Sequence, residues 1–440
     1  MRKFLWLLIL VAFSKLSIAQ SRDFEMADSL GKTIIEYFKT NQFQKISDAR
    51  DTIYLNSYNA ITFEGDWNEL VGTYGKLESV RPIFYGNYQG SHFISYKLSF
   101  ESLPYVLNLG FNPENKIVMI SFLQAHKVYV SPDYVDVSKF SERHFKLNNG
   151  IFELPALFTA PNSPGKHPLV IILPESGPTD RDGSYGENRP YRDLANAMAS
   201  NGYCTFRYDK RSLHYQNILL TAKNAYENYT CREEYLDDLY KAMDTLLTFS
   251  EVDPARIYLL GHGQGGMLLP LVAKERKEVK GIAMLGSNYK RMQEMMMDQY
   301  DYLSYVTPNK KDEFMEEKEK ALYSMNKKLN PLTEHYKMPY EVQATYWIWL
   351  NKYPHVEIAK KLKKPILIMH GDRDYQVNME NLAGWKKDLG KQPNVTIKNY
   401  PKLNHLFYSG GAESTYSEYF MIGNIPDYVI KDLMDWLSAN

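Results

Sequence analysis

The chain is poor in cysteine, carries no net charge and has no apolar run long enough to cross a bilayer. With only Cys204 and Cys231 present, a disulfide-stapled scaffold is excluded, and neither number nor spacing suits a zinc site. A single bridge between the two is open. Cys204 falls in a predicted central strand, where a small buried thiol is the plainer reading. The 52 basic residues balance 52 acidic ones, which removes any electrostatic pull toward nucleic acid or an acidic membrane. Local runs such as Lys310-Lys311-Asp312-Glu313 mix both signs and read as solvated helix faces. There is no internal repeat, no low-complexity tract and no motif that asks for a metal or an organic cofactor.

What is present begins with a secretory signal. Arg2-Lys3 supply the basic region, Phe4 to Phe13 the apolar stretch, and Ser17-Ile18-Ala19 a small-residue cleavage site before Gln20. Its apolar stretch is well short of the roughly 20 residues that span a bilayer. Residues 1–19 are therefore expected to be removed. The mature chain is then exported, to a periplasm or outside the cell, with no membrane span. Residues 20–124 read as a small α+β domain. Met26, Leu30, Ile34, Tyr37 and Phe38 lie at helical spacing, and Ile94, Tyr96, Leu98 and Phe100 alternate with polar neighbours as in a half-buried strand. Trp67 is expected in its core.

From residue 125 to 440 the pattern changes. Apolar runs at Leu169–Leu173, Cys204–Tyr208, Ile257–Leu260, Gly281–Leu285, Ile366–Met369 and Val395–Tyr400 alternate with helical segments. That rhythm predicts a mostly parallel sheet covered by helices on both faces. Residues from about 286 to 363 interrupt it with a helical insertion, expected to act as a lid.

Chemistry concentrates at three turns. The run Gly261-His262-Gly263-Gln264-Gly265-Gly266 lies between a strand and a helix and matches the Gly-x-Ser-x-Gly nucleophile elbow, except that Gly263 stands where serine belongs. The strand ending at Met369 runs into His370-Gly371-Asp372-Arg373-Asp374, which offers Asp374, with Asp372 second, as an orienting acid. The strand ending at Tyr400 leads to His405, placed to be the base; chain order nucleophile, acid, histidine is that of an α/β hydrolase. His262 and His370 read as structural neighbours of their turns. The loop after the first parallel strand, Pro174-Glu175-Ser176-Gly177-Pro178, occupies the oxyanion region. Ser176 and the residue after the elbow, Gln264, are its candidate donors.

Ser-Gly-Pro-x-Asp-Arg-Asp, Tyr208-Asp209-Lys210-Arg211, Tyr346-Trp347 and Gly-x-x-Asp-Tyr-Gln-Val together resemble the bacterial secreted α/β-hydrolase esterases close to the dienelactone-hydrolase branch. The resemblance spans nearly the whole mature chain. It implies an α/β-hydrolase fold with a small amino-terminal domain and hydrolysis of carboxylic esters. Asp374 and His405 match the family's acid and base. The chain departs from it twice, at Gly263 and at Glu175, where the family has a small residue. A carboxylate there opposes the negative charge an oxyanion hole must stabilise, unless its side chain turns outward.

Three functions follow as alternatives. The first is an esterase-type protein whose acyl-enzyme route is blocked. The second is a pseudoenzyme binding a small ester or acyl ligand, with Trp347 and Met296 lining the site; ordinary helical core is the other reading of those two. The third is a hydrolase whose nucleophile has moved to Ser176.

Overall fold

The computed structural model describes residues 22–55, 58–88, 90–125, 128–216, 229–411 and 413–440. The expected signal, residues 1–19, lies outside them. The chain divides into two compact units, one running to Glu142 and including Pro161–Pro164, the other comprising Arg143–Ala160 and Gly165–Asn440.

The first unit opens with a helix over residues 22–39, followed by helices Phe43–Ala49 and Ala60–Tyr74. The last is capped by Asn59, whose side-chain oxygen accepts the Ile61 and Thr62 N–H groups. Four strands follow, β1 (Leu77–Tyr88), β2 (Ser91–Phe100), β3 (Pro104–Phe111) and β4 (Ile117–Gln124), paired antiparallel in sequence order. Burial alternates strictly along β2, so one face is core and the other is wetter. Trp67 packs between Phe38 and Phe100, at ring-centroid distances of 5.2 and 5.9 Å. It is core, as its sequence context indicates.

The second unit is built on an eight-stranded sheet. Its strands are β5 (Phe140–Asn149, which begins at the unit boundary), β6 (Phe152–Pro161), β7 (His167–Leu173), β8 (Cys204–Tyr208), β9 (Val252–His262), β10 (Val279–Leu285), β11 (Ile366–Gly371) and β12 (Val395–Tyr400). Their order across the sheet is β12-β11-β10-β9-β7-β8-β6-β5. Strands β7 to β12 pair in parallel, while β6 runs antiparallel to β8. Every residue of β8 and β11 is buried; β11 reads as a continuous apolar run up to Met369, whereas β8 alternates Cys204, Phe206 and Tyr208 with Thr205 and Arg207, the arginine being paired with Asp182 at 2.7 Å. The insertion is helical, with helices Met292–Val306, Lys311–Ser324, Ala344–Lys352 and His355–Lys361. Among the described residues no helix is long and apolar enough to cross a membrane.

Cys204 and Cys231 are both buried free thiols. Burial, followed by the nearby Glu251 carboxylate, pushes the Cys204 thiol up to about 12.

Candidate active site

The central strand β9 lies between β7 and β10 and ends at His262. The chain then reverses at Gly263 (φ 52°, ψ −121°) into the helix Gln264–Glu275. A positive φ of this kind strains any residue with a Cβ, and glycine adopts it freely. Gly265 is needed for a different reason. A Cβ there would lie 2.3 Å from the Pro174 carbonyl oxygen and 2.6 Å from that of Leu173, so the elbow helix and the loop after β7 meet backbone to backbone. The Gly-x-x-x-Gly spacing is thus a packing requirement of the turn.

Strand β11 delivers Asp374. Its Oδ1 accepts the backbone N–H groups of Gln376 and Val377 at 2.9 and 2.8 Å. That leaves Oδ2 for Nδ1 of His405, 2.7 Å away. Asp372, the second choice from sequence, accepts the Lys402 N–H instead and ties two loops together. The loop after β12 that carries His405 is shaped by Asn404, whose side-chain oxygen accepts the Leu406 and Tyr408 N–H groups. Asp374 and His405 are both buried.

Nε2 of His405 faces Glu175. The Glu175 Oε2 lies 3.3 Å from it, and the Glu175 side chain is only 5 % exposed. An outward-turned glutamate is therefore excluded. Four residues pin it. Tyr185 donates its hydroxyl to Oε1 at 2.7 Å. The Glu175 N–H donates to the Tyr191 hydroxyl at 3.1 Å. Its carbonyl accepts from Lys210 Nζ at 3.1 Å and from the Tyr235 hydroxyl at 2.8 Å. Lys210 is itself paired with Glu234 at 2.8 Å, both buried. Glu234 and Tyr235 sit in a π turn, Arg232–Leu236, that opens the helix continuing as Asp237–Leu246. Such widened turns recur at functional sites.

His262 lies beneath. Its Nε2 faces the His405 carbonyl at 2.9 Å, so that nitrogen carries the proton, and Nδ1 accepts from the Tyr191 hydroxyl at 3.0 Å. Burial and then the charge of His405 lower its pKa to about 4, so the ring is neutral. For His405, burial alone acts downward. The Asp374 charge and hydrogen bond, then the hydrogen bond and charge of Glu175, overcome it and raise the pKa to about 10. Burial likewise works against the Glu175 carboxylate, but the hydrogen bond to His405, the neighbouring His262 and His405, and the Tyr185 hydroxyl hold it at about 2. At neutral pH the group is a carboxylate–imidazolium–carboxylate chain, with both ring nitrogens of His405 donating.

Glu175, His262 and His405 are the one trio of potential metal ligands among the described residues, their donor atoms all within 4.8 Å of one another. The two imidazoles stack at 4.3 Å with 30° between planes. A metal ion must lie near the plane of each ring it binds, and stacked rings do not aim their lone pairs at one point. Each donor is also already hydrogen-bonded. The arrangement fits a proton-linked network better than a metal centre.

The remaining expected site residues divide. Gln264 is buried at the first position of the elbow helix, with its N–H free of the helical ladder. Its side chain turns away to Cys231 Sγ and the Tyr346 hydroxyl, at 3.0 and 2.8 Å. Ser176 is half-buried, and its hydroxyl makes no hydrogen bond among the described residues. Trp347 and Met296, at 1 % and 0 % exposure, are packed in the main core cluster, which favours the helical-core reading of the two. It is Tyr346, one residue earlier, that ties the insertion to the elbow, donating to Glu234 at 2.7 Å while accepting from Gln264. Sequence reasoning missed Tyr185, Tyr191, Tyr235 and Tyr346. The only signal was that Lys210 and Tyr346 lie inside runs that carry the family resemblance.

A prolyl oligopeptidase family model (Peptidase S9) matches residues 224–421. Esterase EstD of Thermotoga maritima is 32 % identical over 325 residues, covering 74 % of this chain and 74 % of EstD. Among solved structures, Est1E of Butyrivibrio proteoclasticus is 18 % identical, with 68 % of this chain and 99 % of that one covered at a TM-score of 0.44. A dienelactone hydrolase of Anabaena variabilis is 16 % identical, with 68 % and 98 % covered at 0.40.

Proposed function

We propose that this chain, which belongs to the same family of α/β-hydrolase esterases as EstD, is silent toward ester bonds and keeps the acid–base couple Asp374–His405 without a nucleophile to serve. The observation that carries this reading is the Glu175 carboxylate 3.3 Å from Nε2 of His405. That nitrogen is the one that takes the proton of the attacking hydroxyl in a serine triad. Here it is occupied and protonated, and position 263 supplies no hydroxyl. Direct activation of water would need a free lone pair on Nε2, which the Glu175 contact denies.

A nucleophile at Ser176 is less well supported, since His405 is already engaged on both ring nitrogens. Binding of a small ester or acyl ligand without turnover is compatible with the blocked couple. The expected result is no turnover of short-chain aryl esters and no covalent adduct with a fluorophosphonate. A stable adduct mapped to Ser176 would overturn the proposal.

We also propose that the mature protein is exported, on the strength of the basic, apolar and small-residue segments of residues 1–19. Amino-terminal sequencing of the secreted or periplasmic fraction is expected to begin at Gln20. Retention of the full chain in the cytoplasm would contradict it.

A further inference from the structure

A cleft of about 620 Å³ is lined by residues of the elbow helix and of helices Ala344–Lys352 and His355–Lys361. It lies within the size range of small-molecule sites. Leu271, Trp349, Tyr353 and Ile358 make an apolar floor, and the Trp349 and Tyr353 rings lie 5.0 Å apart at 31°. Around it stand Lys274, Lys352 and Lys361, all exposed and without an ion-pair partner among the described residues. The single acidic residue on the rim, Glu357, is already paired with Lys360 at 3.2 Å.

An apolar trough edged by three uncompensated ammonium groups is complementary to one class of molecule, a single-chain amphiphile with an anionic head. We infer that the cleft binds a long-chain carboxylate, its hydrocarbon chain on the Trp349–Tyr353 floor and its head among the lysines. Burying the chain supplies most of the affinity, and the lysines select the sign of the head group. The lysine stems also extend the apolar walls while their ammonium groups stay in water. None of these residues takes part in the Asp374–His405–Glu175 chain, so the inference stands apart from the proposed silence toward esters.

The test is calorimetric titration of the full-length mature protein with dodecanoate below its micellar concentration. Dodecyltrimethylammonium, which has the same tail and the opposite charge, is titrated in parallel. Saturable one-to-one binding of dodecanoate is expected, with the cationic amphiphile at least about tenfold weaker. Lys352→Glu combined with Lys361→Glu is expected to weaken dodecanoate by on the order of tenfold. Both lysines are exposed, so folding is not at stake in that variant. Trp349→Ala is expected to weaken both amphiphiles together. Equal affinity for the two head groups, indifference to the charge reversal, or no binding of dodecanoate at all would each overturn the assignment.

Discussion

Gly263→Ser alone is expected to leave hydrolysis of a short-chain aryl ester within about tenfold of the starting protein, whereas Gly263→Ser with Glu175→Gly is expected to raise it by at least ~10³-fold. Removing the serine of a working triad costs about 2 × 10⁶ in turnover, equivalent to roughly 9 kcal/mol of barrier, so a restored hydroxyl has a large range to recover. Restoring it alone does not suffice. A Cβ at position 263 would lie 3.6 Å from Nε2 of His405, which suits a nucleophile, but also 3.3 Å from the Glu175 Cβ, which is tighter than ordinary contact. The new hydroxyl would compete with Glu175 for a nitrogen that already carries a proton. The glutamate would also place its charge beside the oxyanion that forms on attack. Removing both obstacles leaves Asp374–His405 as a conventional couple. Initial rates on an aryl acetate, with fluorophosphonate labelling at position 263, read the outcome. A fully active single substitution would show that Glu175 is a bystander. A folded double variant that neither labels nor turns over would show that the oxyanion donors have failed as well.

Under the proposed function, Gly263 and Glu175 act together, since a Cβ at 263 would lie 3.3 Å from the Glu175 Cβ. Glycine leaves room in front of His405, and the glutamate fills it with the charge that stabilises a protonated imidazole. A serine at 263 and a glutamate at 175 crowd each other; a glycine at both would leave Nε2 facing empty space. On the proposed reading, the pair puts a buried ion chain where an active relative would have its nucleophile and base.

The sheet was legible because it depends on local signals. Short runs rich in apolar and β-branched residues located all six parallel strands, and β8 and β12 fall on the expected residues. Strand β9 begins five residues earlier than the apolar run implied, at Val252 rather than Ile257, because it extends through Asp253-Pro254-Ala255-Arg256, a segment with no apolar pattern. The elbow was readable from glycine spacing, since each glycine answers a backbone demand of its own. The direction of Glu175 was not readable. It is decided by Tyr185, Lys210 and Tyr235, which donate to Glu175, and by Tyr191, which accepts its N–H; these lie 10 to 60 residues along the chain, and no short-range rule brings four partners to one residue. Trp347 and Met296 were open to two readings for a related reason. An aromatic and a methionine at helical spacing look the same whether they face a cavity or the core. The neighbouring Tyr346 is set apart only by the buried Glu234 and Gln264 it bridges.

Stability of the carboxyl-terminal unit should peak near pH 6.5 and fall by about 2–3 kcal/mol between pH 6.5 and 8.5. The alkaline loss belongs to His405. Its pKa is raised in the folded state, to about 10 from an ordinary 6.5, so the folded chain holds a proton there that the unfolded chain has released. Stability from this group is complete below pH 6.5 and is lost steadily as pH climbs toward 10. At 1.36 kcal/mol per pKa unit, two pH units account for the stated loss. The raised thiol of Cys204, at about 12, adds to the decline only at higher pH, where an unfolded thiol begins to ionise. On the acid side several depressed groups act, His355, His370 and Asp182 among them, and two belong to the site. His262, held at about 4, favours the folded chain above pH 6.5, and that contribution is lost as pH falls to 4. Glu175, held at about 2, contributes fully above 4.5 and loses its share as pH falls to 2. Urea titrations followed by tryptophan fluorescence across pH 5–8.5 measure the peak and its alkaline side. The decisive comparison is Glu175→Gln, which keeps the shape of the side chain but removes the second carboxylate from His405. Its alkaline slope should be at most half that of the starting protein. An unchanged slope would mean that Asp374 alone holds the imidazole protonated, and that the glutamate contributes bulk rather than charge.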